Sequence, residues 1–123
     1  MKKNLTITAF LGAFTILLGA FGAHTLQETL SVSELKSFET GVRYQMYHVL
    51  ALLFVNSFFK FSTRSKRIIS YLFFLGILFF SGSIYAITFG VSVKYIWFMT
   101  PLGGVLFIIG WIKMGLSFLK NTN

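Results

Sequence analysis

Glu39, Arg43, Tyr44, Gln45, Tyr47 and His48 stand in one run, Glu-Thr-Gly-Val-Arg-Tyr-Gln-Met-Tyr-His, that leads straight into Val-Leu-Ala-Leu-Leu-Phe-Val. Glu39 and Arg43 are spaced i, i+4, so a helix would put them on one face as a pair. Tyr44 and His48 share that spacing, and Tyr47 lies beside His48 and Arg43. A helix carrying these groups into a bilayer must pair them inside the protein or use them, because they are expensive in hydrocarbon. Used, they make a polar pocket in which Arg43 anchors an anion or headgroup and His48 carries a proton. Paired, Glu39–Arg43 is an interfacial ion pair, Tyr44 and Tyr47 belong to an aromatic belt, and His48 bonds to a neighbouring helix. On the expectation that Arg43 is buried, Arg43→Leu should cost more stability than Lys66→Leu, because a charged partner would be left alone.

Other chemistries find less to work with. His24 ends the first apolar run and could reach Glu39 or Arg43, but two histidines without cysteine or aspartate offer no ligand spacing. No metal or cofactor is expected. The absence of cysteine excludes disulfides, thiolate metal sites and thiol nucleophiles. Ser81, Ser83 and Tyr85 lack the elbow and the orienting acid of a hydrolase, and read as hydroxyls bonding across helices. The expectation is a protein that is not an enzyme. Asn56 should bond to another helix, with no partner nameable from sequence.

The elements that carry these residues follow from composition. The chain has 123 residues, 55% hydrophobic and 11% charged. A soluble domain has roughly 25% charged residues, so this one must be embedded in lipid. The net charge of +8 lies in short clusters beside apolar runs, which speaks for membrane orientation and against nucleic acid. A bilayer core takes about 20 helical residues. Four segments qualify, at about 5–23, 41–61, 68–90 and 95–119, in one membrane domain covering 1–123. The first would also suit a signal peptide, with lysines before it and small residues at its end. Its glycines argue for retention, since Gly12, Gly19 and Gly22 suit close helix packing, as do Gly82, Gly103, Gly104 and Gly110 further on. Trp97 and Trp111 are most simply interface anchors.

Ser31-Val-Ser-Glu34 matches a capping box, so the second helix should begin outside the bilayer near Val32, with Leu35, Phe38, Val42, Met46 and Val49 at helical spacing. Pro101 either opens the last helix, capped by Thr100, or kinks a helix that starts near Val93. The kink is preferred, because Lys94 and Lys113 then lie about 28 Å apart and bracket one bilayer core. Eight of the 11 basic residues fall on one side if both ends are cytoplasmic. The expected protein is all-α and polytopic, with four transmembrane helices, N-in and C-in, in the cytoplasmic membrane. Phe10-Leu-Gly12 and Phe74-Leu-Gly76 raise a faint echo of a two-fold repeat of helix pairs.

Four motifs fall one per segment: Gly19-Ala-Phe-Gly-Ala-His24, Thr40-Gly-Val-Arg-Tyr-Gln-Met-Tyr-His48, Phe80-Ser-Gly-Ser-Ile-Tyr85 and Thr100-Pro-Leu-Gly-Gly-Val-Leu-Phe-Ile-Ile-Gly-Trp111. Together they resemble the domain-of-unknown-function 423 family, the YgdD/YwdK-like small membrane proteins also called UPF0382, and a small eukaryotic transmembrane family. The resemblance implies a four-helix protein of the cytoplasmic membrane whose first helix is retained. It brings no activity, substrate or cofactor. Two roles stay open: a small-molecule, ion or lipid binding or transport module on the polar face of the second helix, or an accessory protein that stabilises a partner complex or the bilayer. Beyond lipid, the partners would be further copies of the chain, needed to enclose a path, or an unknown protein.

Overall fold

The structure, a computed structural model, describes residues 2–120, the side chain of Ala23 excepted. The regular structure of the described residues is all helical, without strands. Helix α1 spans Lys2–His24 and is followed by a single 3-10 turn, Leu26–Glu28. Helix α2 spans Val32–Ser57, α3 runs Thr63–Thr88, and α4 runs Val93–Lys120.

Local chemistry sets several of these ends. Ser31 caps α2 through the expected box: its hydroxyl accepts from the Glu34 N–H (3.1 Å), and its own N–H donates to Glu34 Oε1 (2.9 Å). Ser62 caps α3 by accepting from the Ser65 N–H. Gly90, at φ +116°, closes α3, with the Val91 N–H folding back to the Ala86 carbonyl (2.9 Å). A side chain with a Cβ would be strained there.

One helix ends earlier than expected, and another breaks near its proline. Helix α2 was expected to run to about Phe61, but ends at Ser57. Phe59 and Phe61 then leave the helical path and pack edge-on against Phe118 near the end of α4. Helix α4 forms one turn at Val93–Ile96, breaks at Trp97–Phe98, and resumes as Met99–Lys120. Pro101 lies in the first turn of the resumed helix, where its missing N–H would have faced the Trp97 carbonyl. The break lies where the proline removes the bond that would have held the turn.

Helix α3 holds a wide turn at Ile77–Ser81, closed by the Gly82 N–H bonding back to the Ile77 carbonyl. Such π turns insert an extra residue into a helix. Here it lies where α2, α3 and α4 meet. Ser81 Oγ donates to the Gly41 carbonyl of α2 (2.7 Å), and Ser83 bonds Thr100 of α4.

The bundle is two antiparallel hairpins joined through α2 and α3. Along α1 and α2 the register holds from end to end: Gly22 meets Phe38, Gly19 meets Val42, Thr15 meets Gln45, Gly12 meets Val49 and Asn4 meets Asn56. Along α3 and α4, Phe80 meets Gly103, Gly76 meets Phe107 and Phe73 meets Gly110. The glycines permit these crossings. A Cβ on Gly103 would sit 2.3 Å from the Phe80 backbone nitrogen, which cannot move aside as a side chain can. Gly22 and Gly110 lie nearly as close, each with a phenylalanine ring 2.5 Å away, whereas Gly82 and Gly104 have only ordinary neighbours. The core between the hairpins contains Leu52, Val55, Ile69, Phe73 and Phe107.

Three helices are long and apolar enough to cross a membrane among the described residues: Lys2–Glu28, Thr63–Thr88 and Val93–Lys120. The charges of α2 reach as far as Arg43 and the helix stops at Ser57, which leaves it a shorter apolar stretch.

Candidate functional site

The polar run of α2 is divided by the helix into two faces. Phe38, Gly41, Gln45, His48, Val49, Leu52, Val55 and Asn56 form the buried face. Glu39, Arg43, Tyr44 and Tyr47 are exposed.

On the buried face every polar group finds a partner on another helix. Gln45, 1% exposed, donates through Nε2 to Thr15 Oγ1 of α1 (2.7 Å). Its Oε1 accepts from the Tyr85 hydroxyl of α3 (2.7 Å). Thr15 in turn donates to the Leu11 carbonyl (2.7 Å). One glutamine side chain thus joins three helices. His48 is held as firmly. Its Nδ1 lies 2.7 Å from the Tyr44 carbonyl, and Trp111 Nε1 of α4 lies 2.9 Å from its Nε2. A carbonyl can only accept and an indole N–H can only donate. The proton is therefore on Nδ1, Nε2 carries a lone pair, and the ring is neutral. It stacks on Phe107 with centroids 3.6 Å apart and meets Phe73 edge-on. To carry a proton, the ring would have to break the Trp111 bond. Nearer the other end of α2, Asn56 Nδ2 donates to the Leu52 carbonyl (2.9 Å) and to Ser70 Oγ of α3 (3.0 Å), while its Oδ1 accepts from Asn4 of α1 (3.1 Å). Among the described residues, every buried side-chain nitrogen and oxygen is hydrogen-bonded.

On the exposed face the arrangement is open. Among the described residues no ion pair joins Glu39 to Arg43; the guanidinium makes one long bond to Thr40 Oγ1 (3.4 Å). The expectation of a buried, paired Arg43 is thus corrected. Position 43 lies on the side of α2 away from the core, so no partner charge is stranded by its loss. Tyr44 stacks on Phe80 of α3 at 5.1 Å and lies 5.6 Å from Tyr47, which is 52% exposed. His24 is exposed at the end of α1 and hydrogen-bonds to neither Glu39 nor Arg43. Between α1 and α2 lies a groove of about 240 Å³, lined by Gly19, Gly22, Phe38 and Val42, with Glu39 and Arg43 among its residues. The glycines, lacking side chains, leave the space on α1, and Phe38 and Val42 make its walls apolar. Among the described residues, no three histidine, cysteine, aspartate or glutamate side chains gather as a metal site would require.

Thr15, Tyr85, Trp111 and Ser70 complete the buried network, and none was singled out as part of the site. One signal was available in α1: Asn4, Thr8 and Thr15 fall at i, i+4 and i+11, a polar stripe along an otherwise apolar helix. Trp111, read as an interface anchor, is the donor to His48.

Residues 18–104 match the family described as "Protein of unknown function (DUF423)". The chain belongs to the DUF423, or UPF0382, family of membrane proteins. It is 40% identical over 122 residues to a UPF0382 membrane protein of Haemophilus influenzae, covering 99% of this chain and 98% of that one. It is 39% identical to the UPF0382 membrane protein YwdK of Bacillus subtilis, with 98% of each chain covered. The similarity to the UPF0382 inner membrane protein YgdD of Escherichia coli is 37% over 118 residues, 89% of this chain and 84% of that one. No solved structure matches. The family identifies a membrane protein and names no activity.

Proposed function

We propose that the protein is a non-enzymatic binding module for an anionic amphiphile, which lies in the groove between α1 and α2 with its charged group on Arg43. The observation that carries this reading is the groove itself: an apolar wall of Gly19, Gly22, Phe38 and Val42 beside a guanidinium that, among the described residues, bonds only to Thr40. An arginine fork matches a carboxylate or phosphate, and its stem can snorkel along apolar surface to the headgroup level. The bonding of the buried face favours this groove over passage through the bundle.

The reading includes a topology of four crossings in the cytoplasmic membrane, N-in and C-in. Its support is the α1–α2 register, which runs from Gly22–Phe38 to Asn4–Asn56. If α1 crosses, a helix alongside its whole length crosses too. Arg43, level with Gly19, then sits near the outer headgroups, and the basic residues of the 60–67 connection face the cytoplasm, as the positive-inside rule requires.

Native mass spectrometry of the wild type beside Arg43→Gln and the groove-filling Gly19→Leu is the test. The wild type should retain an amphiphile that both variants lose while their helical content is unchanged. A wild type that carries nothing, or variants that keep what it carries, would sink the reading. The accessory role is then favoured by the cross-helix bonds of Gln45, His48 and Asn56, which make a rigid scaffold, and cross-linking in native membranes should trap a distinct protein partner.

A further inference from the structure

At the opposite end of α1 from the groove, a second pocket of about 260 Å³ opens between α1 and α3. Lys3 and Asn4 line it from α1, and Thr63, Arg67, Ser70 and Tyr71 from α3. Its rim is basic, with Lys3 and Arg67 both exposed. Asn4 and Ser70, which line it, are the two ends of the Asn4–Asn56–Ser70 chain of hydrogen bonds. Ser70 is 2% exposed, and its oxygen accepts from Asn56. The hydroxyl proton of Ser70 has no acceptor among the described residues, so the pocket holds a spare buried donor below two cations. No carboxylate side chain lines it. The three acidic residues, Glu28, Glu34 and Glu39, belong to the far end of the bundle.

We propose that this pocket binds a phosphate group, with Arg67 and Lys3 on its charge and the Ser70 hydroxyl donating to one of its oxygens. Arginine supplies the planar fork and lysine the point charge that phosphate takes. A buried hydroxyl donor lying below two cations is complementary to an acceptor-only anion. The aromatic rings of Tyr71 and Phe74 flank the same pocket, so a headgroup phosphate could enter with its glycerol and chains laid along them. Basic pockets between helices on the cytoplasmic side suit anionic lipids in this way. The site does not depend on the groove beside Arg43.

The test uses the full chain in detergent, with native mass spectrometry and thermal shift. The probes are phosphatidylglycerol, phosphatidylcholine and inorganic phosphate against chloride at equal ionic strength. Wild type should prefer phosphatidylglycerol to phosphatidylcholine by fivefold or more. The preference should vanish in Lys3→Gln/Arg67→Gln and persist in Arg64→Gln/Lys66→Gln, which removes the same charge outside the pocket. Ser70→Ala keeps every charge and should weaken binding severalfold, which diffuse surface attraction would not. Displacement of the lipid by millimolar inorganic phosphate would assign a soluble phosphate; retention of the lipid would assign the headgroup. No preference in the wild type, or equal loss in the two charge variants, would overturn the proposal.

Discussion

The two faces of α2 draw on the same residue types and do opposite things. Gln45 and His48 point inward, and each of their side-chain polar atoms is matched by a group on the same helix or on another. Arg43 and Tyr47, one or two positions away, point outward and are almost unpartnered. What separates them is a rotation of roughly 100° per residue along the helix, not chemistry. A polar residue inside a membrane protein is expensive only until a neighbour completes it. On the inner face α1, α3 and α4 each supply that neighbour, so polarity there fixes which helix sits where. On the outer face only one long bond to Thr40 reaches Arg43 among the described residues, and polarity there is available to something else.

The sharpest way to break this contrast is at Gln45. Gln45→Ala removes two cross-helix hydrogen bonds and opens a hole between three helices. Such bonds in membranes are worth about 0.6–1.7 kcal/mol each, and the cavity adds to them, so a loss of about 2–4 kcal/mol is expected. Tyr47→Ala on the other face should stay within about 0.5 kcal/mol. Thermal unfolding in detergent compares the two, and equal midpoints would erase the distinction between the faces. Next in size is Trp111→Phe, which keeps an aromatic side chain but removes the N–H that His48 Nε2 accepts, together with part of the indole's packing on Phe73. About 1 kcal/mol is expected, together with a shift of the His48 Nε2 resonance in ¹⁵N spectra. An unmoved resonance would mean that Trp111 is not the donor.

Much of the frame was legible from sequence, and the pairing was not. The start of α2 could be read because a capping box is local: Ser31 and Glu34 satisfy each other without help from the rest of the fold. Asn56 was readable as a residue in need of a partner, but not as a link between Asn4 and Ser70. Choosing that partner requires the rotation of three helices about their axes, which local sequence does not encode. The seam of α2 shows the same limit. Leu35, Val42 and Met46 fit a helical stripe, yet they are only half-buried, and the true seam passes through Gly41, Gln45 and His48. Hydrophobicity places a glutamine outside a core. Only Thr15 and Tyr85, from two other helices, bring it in.

That correction alters what should be expected of Arg43. With no buried partner to strand, Arg43→Leu and Lys66→Leu should both fall within about 0.5 kcal/mol of the wild type. A loss of several kcal/mol at Arg43 alone would return that residue to the inner face and collapse the comparison.

The smallest effect should come from the end of α2 that precedes both faces. The Ser31 backbone N–H, and then its hydroxyl, hold the Glu34 carboxyl below its ordinary value of 4.5. The group lies in the first turn of α2, ahead of its apolar stretch, and is fully exposed, so screening keeps its contribution slight. The folded state prefers the charged form. The stabilisation is therefore complete above the ordinary carboxylate value, and it fades as the pH falls below 4.5 towards the lower folded value. The difference in melting temperature between the wild type and Glu34→Ala should accordingly be steady near neutral pH and shrink on acidification. The Ser31 hydroxyl still caps the backbone N–H of position 34 in the variant. A difference that does not change with pH would mean that the carboxylate's charge plays no part in the box, and that α2 begins at Val32 because of the serine alone.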